Sequence, residues 1–223
     1  TDTWPACFFI CCVVVNRRSH RCAPFLRLAY ETIVQRQCIR NTAIPERRNM
    51  NYAEIKNVDI ANGPGVRISL FVSGCPHHCK GCFNEVTWDF TYGKPYTQET
   101  INHILELLKP DYIKGITFLG GEPMAPSNQE AVLNTMRQIK EHYTNKDIWL
   151  YTGYLLDTDI MGKMVDTLPH TREILSYIDV LVDGPFIEEQ KNLNLQFKGS
   201  ENQRIIDMKK TLSSGSIVLW SED

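Results

Sequence analysis

No stretch of the 223-residue chain reaches the roughly 18 consecutive apolar residues that a bilayer-spanning helix needs. The one short apolar run, Trp4 to Val15, is not preceded by the basic segment of a secretory signal. A soluble, cytoplasmic protein is the expectation, with no membrane partner. An excess of one charge is also lacking, since the net charge is −2. That balance hides a split: residues 1–49 carry eight Arg, no Lys and three acidic residues, a net of +5, and the remaining 174 residues stand at −7. A mildly acidic body lacks the basic face of a nucleic-acid binder, so proteins or small molecules are the expected partners and nucleic acid is not. Cysteine is absent beyond residue 82. Of the eight, Cys7, Cys11, Cys12, Cys22 and Cys38 are scattered, whereas Cys75, Cys79 and Cys82 form one tight group. With no second group to pair with, that cluster does not read as a disulfide framework, and a reducing compartment fits it.

What is present becomes regular only from Met50 onward. Residues 1–49 show no sustained helical or strand period, and two readings of them stand: a genuine extension, or translated upstream sequence with Met50 as the start. The change of composition favours the second, so residues 50–223 are taken as the catalytic domain. Val66 to Ser73 alternates and is rich in β-branched residues, which predicts a strand running into the cysteine group. Thr97 to Leu108 has a Thr cap and apolar residues at helical spacing, and stops before Pro110. Gly115 to Leu119 predicts a strand, Ser127 to Tyr143 a helix, Asp147 to Tyr151 a strand, Asp157 to Leu168 a helix, and Ile178 to Val182 a strand. Lys209-Lys210 and the tail after them read as frayed. Strands alternating with helices imply parallel βαβ units, hence an α/β sheet or barrel whose chemistry sits at the C-terminal strand ends.

Cys75-Pro-His-His-Cys79-Lys-Gly-Cys82 is a CxxxCxxC group in a loop directly after a strand. Three thiolates are soft ligands for an iron–sulfur cluster, zinc or copper, and on a four-iron cubane they leave one iron open for another ligand. Zinc with His77 or His78 as fourth ligand is an alternative, although structural zinc usually takes its ligands as two spaced pairs. A centre that only relays electrons is another. Gly120-Gly121-Glu122-Pro123 follows the next strand; read alone it is a turn, but beside the cysteines it offers a close backbone approach and a carboxylate for a ligand ammonium. Tyr151-Thr152-Gly153-Tyr154 ends a third strand with hydroxyls, a ring and a glycine where a ribose or adenine could rest.

CxxxCxxC after a first strand, followed by GGEP, resembles the signature of the radical S-adenosylmethionine (SAM) superfamily. The resemblance implies a [4Fe-4S] cluster on Cys75, Cys79 and Cys82, with SAM chelated by the fourth iron and cleaved by one electron to a 5′-deoxyadenosyl radical. It implies SAM contacts from Gly81, Cys82, Phe83, Gly120, Gly121, Glu122, Tyr151, Thr152 and Gly153. Many members carry an aromatic before the last cysteine; Gly81 in that place resembles the activating branch. Val58 to Arg67, Leu70 to Cys82, Asp147 to Tyr154, Asp179 to Phe186 and Gly199 to Arg204 resemble the activators of anaerobic ribonucleoside-triphosphate reductase. The resemblance implies an incomplete (β/α) barrel of about five or six parallel strands, a reductase glycine as the site of the radical, and flavodoxin or a similar low-potential electron donor. An activase of another glycyl radical enzyme, such as pyruvate formate-lyase, and an electron-transfer or metal-sensing protein without SAM are the alternatives. Asp183 and Arg204 either line that site or are satisfied charges.

Overall fold

The computed structural model describes residues 50–221; the expectations for residues 1–49 lie outside the described residues. Seven strands form one open sheet: β1 (Asn51–Asp59), β2 (Val66–Val72), β3 (Lys94–Pro95), β4 (Ile113–Gly120), β5 (Asp147–Tyr151), β6 (Val180–Asp183) and β7 (Arg204–Asp207), in the order β3-β1-β2-β4-β5-β6-β7. Between them lie α1 (Gln98–Leu108), α2 (Gln129–His142), a π-helical stretch (Leu156–Met164) running into one α-turn (Val165–Thr167), and α3 (Thr171–Tyr177), with α4 (Met208–Ser214) after β7.

Only β2, β4, β5 and β6 are parallel, whereas β1, β3 and β7 pair antiparallel. The expected five or six parallel strands are therefore four. The reason is connectivity: a parallel neighbour needs a crossover, and the described chain has three helical ones, which join four strands. β1 and β7 reach the sheet through loops and so run against their neighbours. The frayed tail is also corrected, since residues 208–214 are helical. Asp207 caps that helix by accepting the Lys210 backbone N–H at 2.9 Å, and Lys209 pairs with Asp179.

The main core lies between the sheet and its helices. Ile68, Leu70, Val72, Ile116, Phe118, Ile148 and Leu150 pack with Ile101, Ile104, Leu108, Val132, Leu133 and Met136. The two-residue alternation of a strand sends the intervening side chains to the other face. There Arg67 is fully buried, with its Nε donating to Thr117 Oγ1 at 2.9 Å and its Nη2 to the Ile116 carbonyl at 3.0 Å. Its guanidinium lies 5.4 Å from the Trp149 ring, which packs with Phe197 and Trp220. Among the described residues no helix is long and apolar enough to cross a membrane.

Candidate metal and cofactor site

The loops leaving β2, β4 and β5 meet at the C-terminal edge of the parallel strands. β2 ends at Val72, and the cysteine loop is fastened at its start: the Gly74 N–H donates to the Thr87 carbonyl at 2.7 Å and the Cys75 N–H to the Trp88 carbonyl at 3.1 Å. His78, at φ 48°, stacks its ring on Trp88 with centroids 4.7 Å apart. The three thiols are half-buried and free. They open, with Phe83, onto a cavity of about 310 Å³.

Gly120, Gly121 and Glu122 from the β4 loop and Tyr151, Thr152 and Gly153 from the β5 loop line the same cavity. Gly81 does not: it turns at φ +71° toward Glu188, whose Oε1 a Cβ there would meet at 2.8 Å. The close approach at Gly121 is also to the protein itself. A Cβ on Gly121 would stand 2.6 Å from the Gly74 carbonyl oxygen, because the β4 loop continues the sheet pairing, with the Gly121 N–H on the Val72 carbonyl and the Glu122 N–H on the Gly74 carbonyl. At Gly153 the space a Cβ would take holds the His77 ring, 2.5 Å away. The hydroxyls expected to be available to a ligand are committed as well. Tyr151 donates to the Phe197 carbonyl at 2.7 Å, and Thr152 to Glu122 Oε1 at 2.8 Å.

Glu122 is a fully buried carboxylate. Its Oε1 accepts the Met124 N–H and the Thr152 hydroxyl, each at 2.8 Å, and its Oε2 accepts the Gly153 N–H at 2.8 Å and lies 2.9 Å from His77 Nε2. His77 was weighed from sequence only as a zinc ligand; no spacing signal revealed that it reaches across to the β4 loop. The segment following β6 contributes as well. Phe186, Leu195, Phe197 and Gly199 wall the cavity's far side, in a loop whose composition carries no period to find it by. Asp183 and Arg204 stand apart from the cavity and satisfy each other. Arg204 Nε donates to Asp183 Oδ1 at 2.9 Å, and Nη1 reaches Asp157 at 3.1 Å.

The electrostatics of the loop do not mark a nucleophilic thiol. Burial, with the nearby Glu122 carboxylate adding to it, pushes the Cys75 thiol up to about 11, and burial raises Cys79 as well. Reactive cysteines are instead set beside cations that lower their pKa. The lysine of this loop, Lys80, pairs with Glu188 at 2.9 Å. An iron–sulfur cluster held by Cys75, Cys79 and Cys82 would supply cationic iron beside these thiols and favour their deprotonated form. Among the described residues, no three His, Cys, Asp or Glu side chains converge as ligands of one ion would. Thiolates on a cubane each take a different iron and need no common point.

Three soft ligands on a loop after a parallel strand, facing a cavity that can take a second ligand, fit the class of iron–sulfur proteins. The family described as a 4Fe-4S single cluster domain matches residues 61–206. Among curated proteins the chain is similar to the anaerobic ribonucleoside-triphosphate reductase-activating protein of Vibrio cholerae, 46% identical over 158 residues that span 70% of this chain and 97% of that protein. The proteins of the same name from Enterobacteria phage T4 and Escherichia coli K12 are each 40% identical, covering 93% and 96% of their own lengths and 70% and 69% of this chain. The chain belongs to the family of anaerobic ribonucleoside-triphosphate reductase-activating proteins.

Proposed function

We propose that this chain is a radical SAM activase that generates a glycyl radical on an anaerobic ribonucleoside-triphosphate reductase. The observation that carries the reading is the meeting of the cysteine loop, Gly120-Gly121-Glu122 and Thr152-Gly153 around one cavity. A [4Fe-4S] cluster bound there would supply the single electron that cleaves SAM to methionine and a 5′-deoxyadenosyl radical, which takes a hydrogen atom from the partner's glycine.

The protein's own part is placement. Cys75, Cys79 and Cys82 would hold the cluster, on a loop fastened to the turn before Asp89. Glu122 ties the β4 and β5 loops together. Phe186, Leu195 and Phe197 shed water from one side, while Phe83, mostly exposed at the rim, is positioned to cover an adenine. We read the open sheet as an incomplete barrel of the radical SAM type, supported by its four parallel strands and three crossovers. Its unclosed side would admit a glycine-bearing loop, and glycine suits the reaction because its α-carbon carries no side chain to hinder approach. The names of the relatives support the reductase as partner. The cysteine group supports a reducing, cytoplasmic setting, and the family resemblance suggests flavodoxin or a similar low-potential donor.

The deciding experiment is anaerobic: reconstituted, reduced protein should convert SAM to methionine and 5′-deoxyadenosine, and with the reductase present an organic radical should appear on a reductase glycine. Turnover indifferent to the reductase, with modification of a small molecule in the partly walled cavity, would overturn the partner. The activase domain is taken as residues 50–223. Deleting residues 1–49 should leave iron content and SAM cleavage unchanged, and an insoluble or inactive product would show that the leader is part of the domain.

A further inference from the structure

We propose that His77 is a displaceable occupant of the Glu122 carboxylate, standing where the ammonium group of the bound ligand would be received. The inference rests on the SAM reading above and deepens it.

An ionised carboxylate offers about four lone-pair positions, and those of Glu122 are all met by the chain: the Met124 N–H, the Thr152 hydroxyl, the Gly153 N–H and His77 Nε2. While these four stay in place, no capacity remains for a ligand donor. Three of them cannot leave. Two are backbone groups in the loops after β4 and β5, and the third is a hydroxyl on a buried residue. His77 differs in every respect. It belongs to the cysteine loop, its side chain is 17% exposed, and its ring rests edge-on against Tyr154 at 4.4 Å, over Gly153. Rotation of that one side chain frees both a lone pair of Glu122 and the space above Gly153.

Exchange is favourable because the ligand's amino nitrogen brings more than one N–H donor to the carboxylate, where the ring brings one, and each such bond is charge-assisted by the carboxylate itself. It also has a consequence for the cluster. His77 lies between Cys75 and Cys79, so the arriving amino acid end of the ligand would release a tether on the loop that carries the three cysteines.

The test is equilibrium binding of radiolabelled SAM to anaerobic, cluster-loaded protein, with iron and sulfide content as the control. His77→Ala should bind SAM about tenfold more tightly, because the vacated carboxylate is left a donor short until the ligand supplies one. Methylthioadenosine, which lacks the amino acid end, should bind both proteins equally. His77→Asn, whose amide stops short of Glu122, should behave like Ala and carries the test should the Ala variant lose iron. His77→Gln, which can still donate to Glu122, should stay near wild type. Unchanged or weaker SAM binding in iron-replete Ala and Asn variants would make His77 a fixed tether and overturn the proposal. An equal gain for methylthioadenosine would overturn it too, by showing that only space was gained. If the wild-type protein does not bind SAM at all, it is the SAM reading itself that fails.

Discussion

On one face of β2, Ile68, Leu70 and Val72 meet the apolar sides of the helices, while on the other face Arg67 and Ser69 are just as fully buried. The first face is held by area removed from water, which is tolerant of detail. The second is held by named hydrogen bonds. Arg67 is bonded to Thr117 and the Ile116 carbonyl and ion-paired with Asp147, and Ser69 donates to Asp59. The site grows from the end of these strands, so the cysteine loop inherits a position fixed from both sides. The helix-covered face should survive damage to the site, and the polar face should fail by a different route from the apolar one.

The largest effect expected is chemical. Replacing Cys75, Cys79 or Cys82 with Ser should abolish cluster assembly and SAM cleavage, because in the proposed function each thiolate would be a separate iron ligand. The far-UV spectrum and unfolding midpoint of the metal-free protein should be unchanged. Collapse of the metal-free fold would show that the site and the helix-covered core are not separable.

Gly121→Val should come next. Since the Gly121 Cβ direction points at the Gly74 carbonyl 2.6 Å away, the side chain would push the start of the cysteine loop off the β4 loop. Iron content should fall together with SAM affinity. A variant with full iron that has lost SAM affinity alone would mean that the space beside Gly121 serves the ligand and not the backbone.

The two faces can be set against each other directly by urea unfolding. Ile104→Ala on the helix face should cost about 2–5 kcal/mol through lost burial and a cavity. Arg67→Ala should cost about 3 kcal/mol, toward the low end for breaking a buried pair because Asp147 keeps some contact with water. The two residues share no hydrogen-bond partner and belong to opposite faces, so the double variant should be additive within about 0.5 kcal/mol. Strong coupling would mean that the sheet transmits strain between its faces.

The same contrast explains what could be read in the sequence. α1 was foreseen from Thr97, and its cap forms as the Thr97 N–H donates to Thr100 Oγ1 at 3.2 Å. β5 spans Asp147–Tyr151, the bounds expected from its short apolar run. These elements obey local periods. β1 and β7 were not foreseen, because β1 carries exposed polar residues such as Glu54 and Lys56 that leave only a weak alternation, and β7 is four residues long. The cysteines, Gly120–Glu122 and Tyr151–Gly153 were legible because each follows a recognisable strand. His77 on Glu122, the Tyr151 hydroxyl on Phe197 and the turning of Gly81 toward Glu188 were not, since they join segments 45, 46 and 107 residues apart.

The smallest effect expected is in the pH dependence of stability, and it belongs to the polar face. Burial alone would raise the Asp59 carboxyl, but the Ser69 hydroxyl, the Ala61 N–H and the Asn62 amide donate to it and hold it below the ordinary 3.8. Asp179 behaves alike: burial is outweighed by Lys209 and the Ile148 N–H. A carboxyl whose folded pKa lies below its unfolded one stabilises the protein above the unfolded value, and that contribution is lost as pH falls through the folded one. Stability measured in urea should therefore be level from pH 7 to 5 with respect to these two groups and decline below about pH 4. Asp59→Asn keeps the shape but not the charge. It should lower stability at neutral pH by about 1 kcal/mol, the net worth of one hydrogen-bond set, and flatten the acid limb. Helix-face variants such as Ile104→Ala should shift the whole curve down without changing its slope. If Ile104→Ala altered the acid slope as much as Asp59→Asn, the two faces would not be the independent halves that their chemistry describes.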